Sequence, residues 1–130
     1  MAFPQDLKFT KNDEWIRVEG DQGTVGISDY AQQQLSDIVF FETTVGVGET
    51  VAKGATCATV ESVKAAAEVY LPVAGTVTAV NEALPSTPEQ INSDPFGAAW
   101  MVKIKITSPA ELSTLLDATG YEAYCQERAT

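Results

Sequence analysis

The sequence of 130 residues predicts a mainly β fold: a small barrel or sandwich with short helices and a C-terminal helical appendix. Short runs rich in β-branched and aromatic residues recur along the chain, separated by turns rich in glycine, proline and asparagine. The clearest run, 100–106, alternates apolar and polar residues, with Lys103 and Lys105 on one face. The length suits one hydrophobic core and leaves no room for a second. We therefore expect a single domain over 1–130, with a core of about 13–106.

The first third of the chain contains four predicted strands and one predicted helix. The strands are 7–10, 14–19, 24–27 and 38–41. Ser28 is expected to cap a helix over 29–35, because a side-chain oxygen at that position can accept a backbone hydrogen bond. Asp29 lies in the first turn, where negative charge is favourable. The run 38–41 is almost wholly apolar, which indicates a central strand or one with both faces buried.

The rest of the chain continues with strands and ends in helices. The strands are 55–60, 68–73, 76–80 and 100–106. The glycine-spaced segment 45–54 is typical of turns, and it lacks the lysine and following helix of a phosphate-binding loop. Asn81 is expected to cap a helical turn, and three prolines make 85–97 an irregular excursion. Two helices are predicted over about 108–128, the first capped by Ser108.

The charge and cysteine content disfavour several classes of function. The net charge is −10, with 18 acidic and 8 basic residues and no histidine. This balance disfavours a nucleic-acid partner, because phosphate binding needs basic patches. Without histidine there is no hydrolytic triad, and two cysteines far apart in the sequence disfavour a metal site. Cys57 is expected to be a buried thiol, and a disulfide with Cys125 is left open.

The N-terminal segment shows no targeting signal. It has neither a basic region followed by an apolar run nor an arginine-rich composition, and no apolar run approaches membrane-spanning length. The sequence therefore predicts a cytoplasmic protein without a membrane partner. A mitochondrial location is expected instead if this is a processed mature form.

Lys64 lies in a short turn between two predicted strands. The segment 62–65 is short enough for a hairpin connection, although it lacks the Asn-Gly pair of the tightest turns. Lysines at such positions usually solvate a sheet edge. Here the small and apolar residues around the lysine are unusual for a solvating turn, and Glu61 and Glu68 bracket it. Both a solvating role and a recognised amine remain open on the local pattern alone.

Six segments, in a fixed order along the chain, match the pattern of a known protein family. They are D-E-W-I-R-V, V-G-I-S-D-Y-A-Q, L-S-D-I-V-F, E-S-V-K-A, P-V-A-G-T-V-T-A-V-N and D-P-F-G-A-A-W-M-V-K-I, spanning 13–104. In these segments the chain resembles the H protein of the glycine cleavage system, a lipoyl carrier. Departures from the family pattern are Asp13 in place of histidine, Ala74 in place of serine, and the residues 98–99 and Met101 around the tryptophan. None of these departures touches the lysine turn.

The resemblance implies a hammerhead fold, a barrel-sandwich hybrid of two antiparallel sheets, with N6-lipoyl-Lys64 at a hairpin tip. The protein would be a non-catalytic carrier, because the cofactor supplies the chemistry and the domain supplies position. Its implied partners are a pyridoxal-phosphate-dependent glycine decarboxylase, a tetrahydrofolate-dependent aminomethyltransferase, dihydrolipoyl dehydrogenase and a lipoylating enzyme. The carrier would take the glycine-derived aminomethyl group from the first to the second, and the resulting dithiol to the third.

Two sets of acidic or polar residues receive roles through this resemblance. Glu61 and Glu68 are expected to mark the site for the lipoylating enzyme. Glu14, Ser28 and Asp29 are expected near a cleft that shields the loaded arm from water.

Three other functions compete with the carrier of glycine cleavage. A biotin carrier would place methionines on both sides of the lysine, where this chain has Val63 and Ala65. A lipoyl domain of a 2-oxoacid dehydrogenase would usually show Asp-Lys-Ala within a longer chain with linkers. An unmodified β module that binds only other proteins is the third alternative.

Overall fold

Antiparallel strands dominate the structure, a computed structural model that describes residues 3–128. The strands in these residues are β1 Leu7–Phe9, β2 Glu14–Glu19, β3 Gln22–Ile27, β4 Ile38–Thr43, β5 Thr50–Val51, β6 Thr56–Ser62, β7 Ala66–Tyr70, β8 Gly75–Val80 and β9 Val102–Ile106. The α-helices are α1 Asp29–Leu35, α2 Gln90–Ser93 and α3 Ala118–Arg128, with 3₁₀ helices at Leu84–Ser86 and Pro109–Thr114.

The strands form two sheets. The larger has six strands in the order β1-β2-β3-β9-β8-β5, and the smaller has three in the order β4-β6-β7. Every pairing is antiparallel. This arrangement confirms the predicted fold of two antiparallel sheets with short helices and a C-terminal helix.

A single apolar cluster joins the inner faces of the two sheets. The six-stranded sheet contributes Val25, Val77 and Ile104, and the three-stranded sheet contributes Phe41 and Val60, all of them buried. Because side chains alternate between the faces of a strand, one face of each sheet can be apolar while the other meets water. Each fully buried valine, isoleucine or phenylalanine contributes about 1.5–3 kcal/mol, so this packing holds the sheets together.

A second cluster docks the C-terminal helix α3 on strands β1 and β2. The ring of Tyr121 stacks on that of Phe9, with 4.3 Å between centroids and parallel planes. Trp15 is fully buried and its Nε1 donates a hydrogen bond to Pro95 O at 3.0 Å. Phe9 and Leu116 also exchange both backbone hydrogen bonds, each at 2.8 Å. The predicted helical appendix is therefore packed into the body of the fold.

The prediction that 38–41 forms a central strand, or one buried on both faces, is wrong. Strand β4 lies at the edge of the three-stranded sheet, and Val39 and Phe40 are 57% and 41% exposed. The register shifts between Ile38 and Phe40. A bulge at this point turns two consecutive side chains outward, and only Ile38 and Phe41 reach the core.

Details of the second half also differ from the predictions. The segment predicted as irregular contains α2, and the last strand begins at Val102 instead of residue 100. Ser108 makes no side-chain capping hydrogen bond, and the helix that follows is of the 3₁₀ type. The Oδ1 of Asn81 accepts a hydrogen bond from Ala83 N at 3.3 Å, as expected for a residue that caps a turn.

The two cysteines are free and buried. Cys57 belongs to the cluster between the sheets, whereas Cys125 belongs to the cluster under α3. A disulfide between them, which the sequence leaves open, is absent from this structure. Within residues 3–128, no helix combines the length and the apolar character needed to cross a membrane.

Candidate functional site

Lys64 occupies the turn between strands β6 and β7. The turn is closed by Ser62, whose Oγ accepts hydrogen bonds from Lys64 N at 3.2 Å and Ala65 N at 3.0 Å. Ser62 N also donates to Ala65 O at 2.7 Å. A serine side chain that binds backbone amides of the next residues takes the place of an Asn-Gly turn. The backbone at the tip of the hairpin is therefore fixed.

A second contact ties the hairpin to the loop between α1 and β4. Val63 N donates a hydrogen bond to Asp37 O at 3.1 Å. The side chains of Val63 and Lys64 nevertheless point to solvent, with Val63 68% exposed. The ion pairs formed among residues 3–128 do not include Lys64. The hairpin thus presents an accessible amine on a well-anchored backbone.

Glu61 and Glu68 lie on the outer face of this hairpin. Glu61 is opposite Ala66, and Glu68 is opposite Thr59, so the two acidic side chains are diagonal neighbours on one face. The carboxylate of Glu68 accepts a hydrogen bond from Tyr70 Oη at 3.3 Å, and its charge raises the pKa of Tyr70. The structure therefore places both predicted acidic residues on the same side of the strands that carry Lys64.

Glu14 is a buried carboxyl group at the start of β2, only 1% exposed. It accepts hydrogen bonds from Thr10 Oγ1 at 2.5 Å and from Tyr70 N at 3.2 Å. Burial raises its pKa from 4.5 to about 7, an effect that these two hydrogen bonds oppose. The contact with Tyr70 links the larger sheet to strand β7, which leads back to Lys64.

A cleft of about 180 Å³ lies between α1 and strands β6 and β7, with Glu14 in its wall. Its polar lining includes Asn12, Asp13, Gln34 and Glu68. Its apolar lining residues are Ile27, Ala31, Leu35, Val60, Ala67 and Val69. A mostly apolar cleft with a few polar groups is the ordinary form of a small-molecule site, and this one borders the hairpin.

Ser28 and Asp29 do not line this cleft. Ser28 is fully buried, and its Oγ accepts a hydrogen bond from Ala31 N at 3.1 Å as the cap of α1. The carboxylate of Asp29 accepts hydrogen bonds from the side chains of Gln32 at 2.6 Å and Gln33 at 3.2 Å. The two residues begin and orient α1, whereas Glu14 lies in the wall of this cleft.

The α1 side of the cleft was not predicted from the sequence. Ala31, Gln34 and Leu35 follow one another at three- and four-residue spacing, which places them on one face of a helix. This spacing is visible in the sequence, but it does not indicate which part of the protein packs against that face of the helix. The facing strands come from residues about thirty positions further along the chain.

A profile of the family described as "Glycine cleavage H-protein" matches residues 7–128. The chain belongs to this family. A relative from Acidobacterium capsulatum, named glycine cleavage system H protein, is 51% identical over 98% of this chain and 97% of its own length. One from Paramagnetospirillum magneticum with the same name is 55% identical, covering 90% and 93%. A crystal structure of a glycine cleavage system H protein from Mycobacterium marinum superposes with a TM-score of 0.84 and 33% identity, covering 98% of this chain and 100% of that chain.

Membership in the family establishes what kind of protein this is. The chain is a non-catalytic carrier subunit of the glycine cleavage system, and the family is the lipoyl-bearing carrier that shuttles the aminomethyl group derived from glycine. Its partners belong to the same system. The biotin carrier, the 2-oxoacid dehydrogenase domain and the unmodified module considered from the sequence are replaced by this assignment.

Proposed function

We propose that Lys64 carries the lipoyl group as an amide on its side-chain nitrogen. The observation that supports this proposal is the exposed Lys64 side chain, which forms no ion pair within residues 3–128, at the tip of a hairpin fixed by Ser62 and by the loop at Asp37. The neighbouring Ala65 and Ala66 are small and exposed, so they leave room for an enzyme to approach the amine. Amide formation removes the lysine charge, which lowers the cost of placing the arm in a dry site.

The residues around Lys64 fit such a group. When bound, the dithiolane supplies the sulfur that takes up and releases the aminomethyl cargo. The chain itself supplies reach and position, because tethering raises the local concentration of the arm at a partner's active site. A fixed backbone with a flexible side chain serves this purpose, since the protein body is held while the arm explores its surroundings.

We propose that the loaded arm shelters in the cleft beside Glu14. The apolar lining from α1 and the hairpin strands would exclude water from an arm bound against it. Glu14 has a pKa of about 7 because it is buried, so both the charged and the neutral carboxyl are available near neutral pH. The charged form can pair with the amino group of the cargo, and that pairing favours ionisation of a carboxyl that burial holds back.

Partner recognition is proposed for the acidic outer face of the hairpin. Glu61 and Glu68 are the marks for the lipoylating enzyme, and the net charge of −10 favours encounter with basic surfaces. We also propose that the carrier visits three enzymes in turn: the pyridoxal-phosphate-dependent glycine decarboxylase, the tetrahydrofolate-dependent aminomethyltransferase and dihydrolipoyl dehydrogenase. Its proposed site of action is the cytoplasm, or the mitochondrion for a processed chain.

The decisive experiment is a reconstituted glycine–bicarbonate exchange assay of the wild type and Lys64→Arg. We expect loss of exchange, and loss of the lipoyl mass increment after treatment with a lipoylating enzyme. Lys53→Arg is the matched control, because Lys53 is also exposed but lies outside the hairpin. Full activity of Lys64→Arg would overturn the proposal.

Two further comparisons test the parts of the site separately. Glu61→Gln and Glu68→Gln should slow lipoylation, whereas Glu82→Gln, an exposed residue on a distant turn, should not. Glu14→Ala should accelerate hydrolysis of the loaded arm. If its hydrolysis rate equals that of the wild type, Glu14 has no part in the shelter.

A further inference from the structure

The cleft is lined by α1, by strands β6 and β7, and by the segment 12–14. Two of these walls, the segment that ends in Glu14 and the helix α1, which Ser28 begins, meet at a junction beneath the C-terminal helix. Ser28 N donates a hydrogen bond to Asp13 O at 2.9 Å, so the backbones of the two walls touch at this point. Whatever fixes Asp13 against Ser28 therefore fixes the spacing of Glu14 and α1.

Tyr121 of α3 bridges both sides of this junction. Its hydroxyl lies 2.6 Å from Ser28 Oγ and donates to Asp13 Oδ1 at 2.7 Å. The Tyr121 side chain is fully buried, and its ring stacks on Phe9. A buried hydroxyl with two partners has a fixed orientation, because turning it away would give up hydrogen bonds that water cannot replace.

Arg128 closes the same junction from the last turn of α3. Its guanidinium contacts both carboxylate oxygens of Asp13, at 2.5 Å and 3.1 Å. The same group stacks over the ring of Tyr30 on α1 at 4.3 Å and over that of Tyr124 at 4.1 Å. A two-pronged contact with a carboxylate combines charge with fixed geometry. Arg128 thus connects one wall through Asp13 and the other through Tyr30.

Asp13 needs such support because of its backbone. Its φ angle is +71°, a left-handed conformation that is uncommon for residues other than glycine. This conformation sets the direction of the chain as it enters Glu14. Such a conformation persists where the surrounding structure holds it in place, and the partners of Asp13 here are Tyr121 and Arg128.

We infer that Tyr121 and Arg128 are positioning residues that clamp two walls of the cleft, the segment 12–14 and α1, to each other through Asp13 and Ser28. This inference rests on the proposed function in that the cleft shelters the arm. It assigns the C-terminal helix a role in holding the cargo site without any contact to the arm itself. A role limited to docking α3 would affect the helix and leave Glu14 and α1 unchanged.

Amide hydrogen exchange on the unlipoylated full chain tests the clamp directly. We compare the wild type with Arg128→Gln and Asp13→Asn. Asparagine tolerates the left-handed conformation, so the second variant changes the charge and keeps the turn. Protection should fall about tenfold at Tyr70 N, which donates to Glu14, and at Ala31 N, which donates to Ser28. Amides of strand β9 should keep their wild-type protection.

Arg17→Gln is the matched control. Arg17 pairs with Asp6 at 3.1 Å and also bonds Phe96 O, so it too is a guanidinium that holds chain segments together, but it lies away from the junction. Its removal should leave Tyr70 N and Ala31 N unchanged. The double variant Asp13→Asn with Arg128→Gln should lose less protection than the sum of the two single variants, because both changes break the contact between Asp13 and Arg128.

Three results would overturn the clamp: unchanged exchange at the two cleft amides, an equal loss of protection throughout the sheet, or additive effects in the double variant. Hydrolysis of the loaded arm separates the clamp from the shelter. If the clamp holds, Arg128→Gln accelerates hydrolysis by a smaller factor than Glu14→Ala does. If amide exchange changes as expected but neither Arg128→Gln nor Glu14→Ala affects hydrolysis, the clamp on the cleft walls is supported. The proposal that the cleft shelters the loaded arm is then refuted.

Discussion

Replacing Glu14 with glutamine isolates the cost of holding a carboxyl group inside this protein. The residue is 1% exposed, and burial raises its pKa from 4.5 to about 7. Because the pKa in the folded state lies above that of the unfolded chain, the neutral form favours folding. This contribution is complete below pH 4.5 and is lost as the pH rises through about 7. Glutamine stays neutral, so the variant escapes that loss.

The size of the effect follows from the pKa difference. Each pKa unit corresponds to about 1.4 kcal/mol, so the rise of Glu14 from 4.5 to about 7 corresponds to about 3 kcal/mol. Glutamine has a single acceptor oxygen, whereas Thr10 Oγ1 and Tyr70 N both donate to the glutamate. This mismatch costs about 1 kcal/mol at every pH. The free energy of unfolding of the variant, relative to the wild type, should therefore rise by about 3 kcal/mol from about pH 4 to pH 9.

Urea unfolding of the unlipoylated chain at intervals across that pH range measures this difference. Subtracting the wild-type curve removes the titration of groups common to both proteins. Glu82→Gln is the control, since it removes one carboxyl from an exposed site. A difference between Glu14→Gln and wild type that stays constant within about 1 kcal/mol would refute the argument that burial controls this carboxyl.

Three further predictions concern other parts of the chain. Lys64→Gln should abolish lipoylation, measured by intact mass. Because Lys64 is exposed, the free energy of unfolding should stay within about 0.5 kcal/mol of wild type. A lipoyl mass increment on the variant would contradict the assignment of Lys64. Gly26→Ala should lower stability by about 1–3 kcal/mol in urea unfolding, because its Cβ would lie 2.8 Å from the ring of buried Trp15; an unchanged midpoint would show that the ring can move. Burial raises the pKa of the Cys57 thiol to about 12. Cys57 should therefore resist alkylation at about pH 8 in the folded protein and react in urea, as measured by peptide mapping. Rapid labelling of the native chain would contradict its burial.

The local features of the fold could be predicted because they depend on neighbouring residues. The helix α1 begins and ends where predicted, since Ser28 caps it through a contact three residues away. The hairpin around Lys64 also follows from its own short sequence and the serine that closes it. At Pro109 a helix begins as expected, but Ser108 makes no capping hydrogen bond and the helix is of the 3₁₀ type. Local sequence signals therefore predict where a helix begins better than they predict its type.

By itself, the sequence determined the mainly β class, the alternation of the strands and the lysine at the hairpin tip. Only the tertiary structure decided which segments meet. An apolar run such as 38–41 is compatible with a central or an edge strand, and the pairing that makes β4 an edge involves β6, later in the chain. Glu14, α1 and strand β7 form one cleft because two sheets and a helix pack together. The contact of Arg128 with Asp13 joins residues 115 positions apart, a distance over which periodicity and capping carry no information.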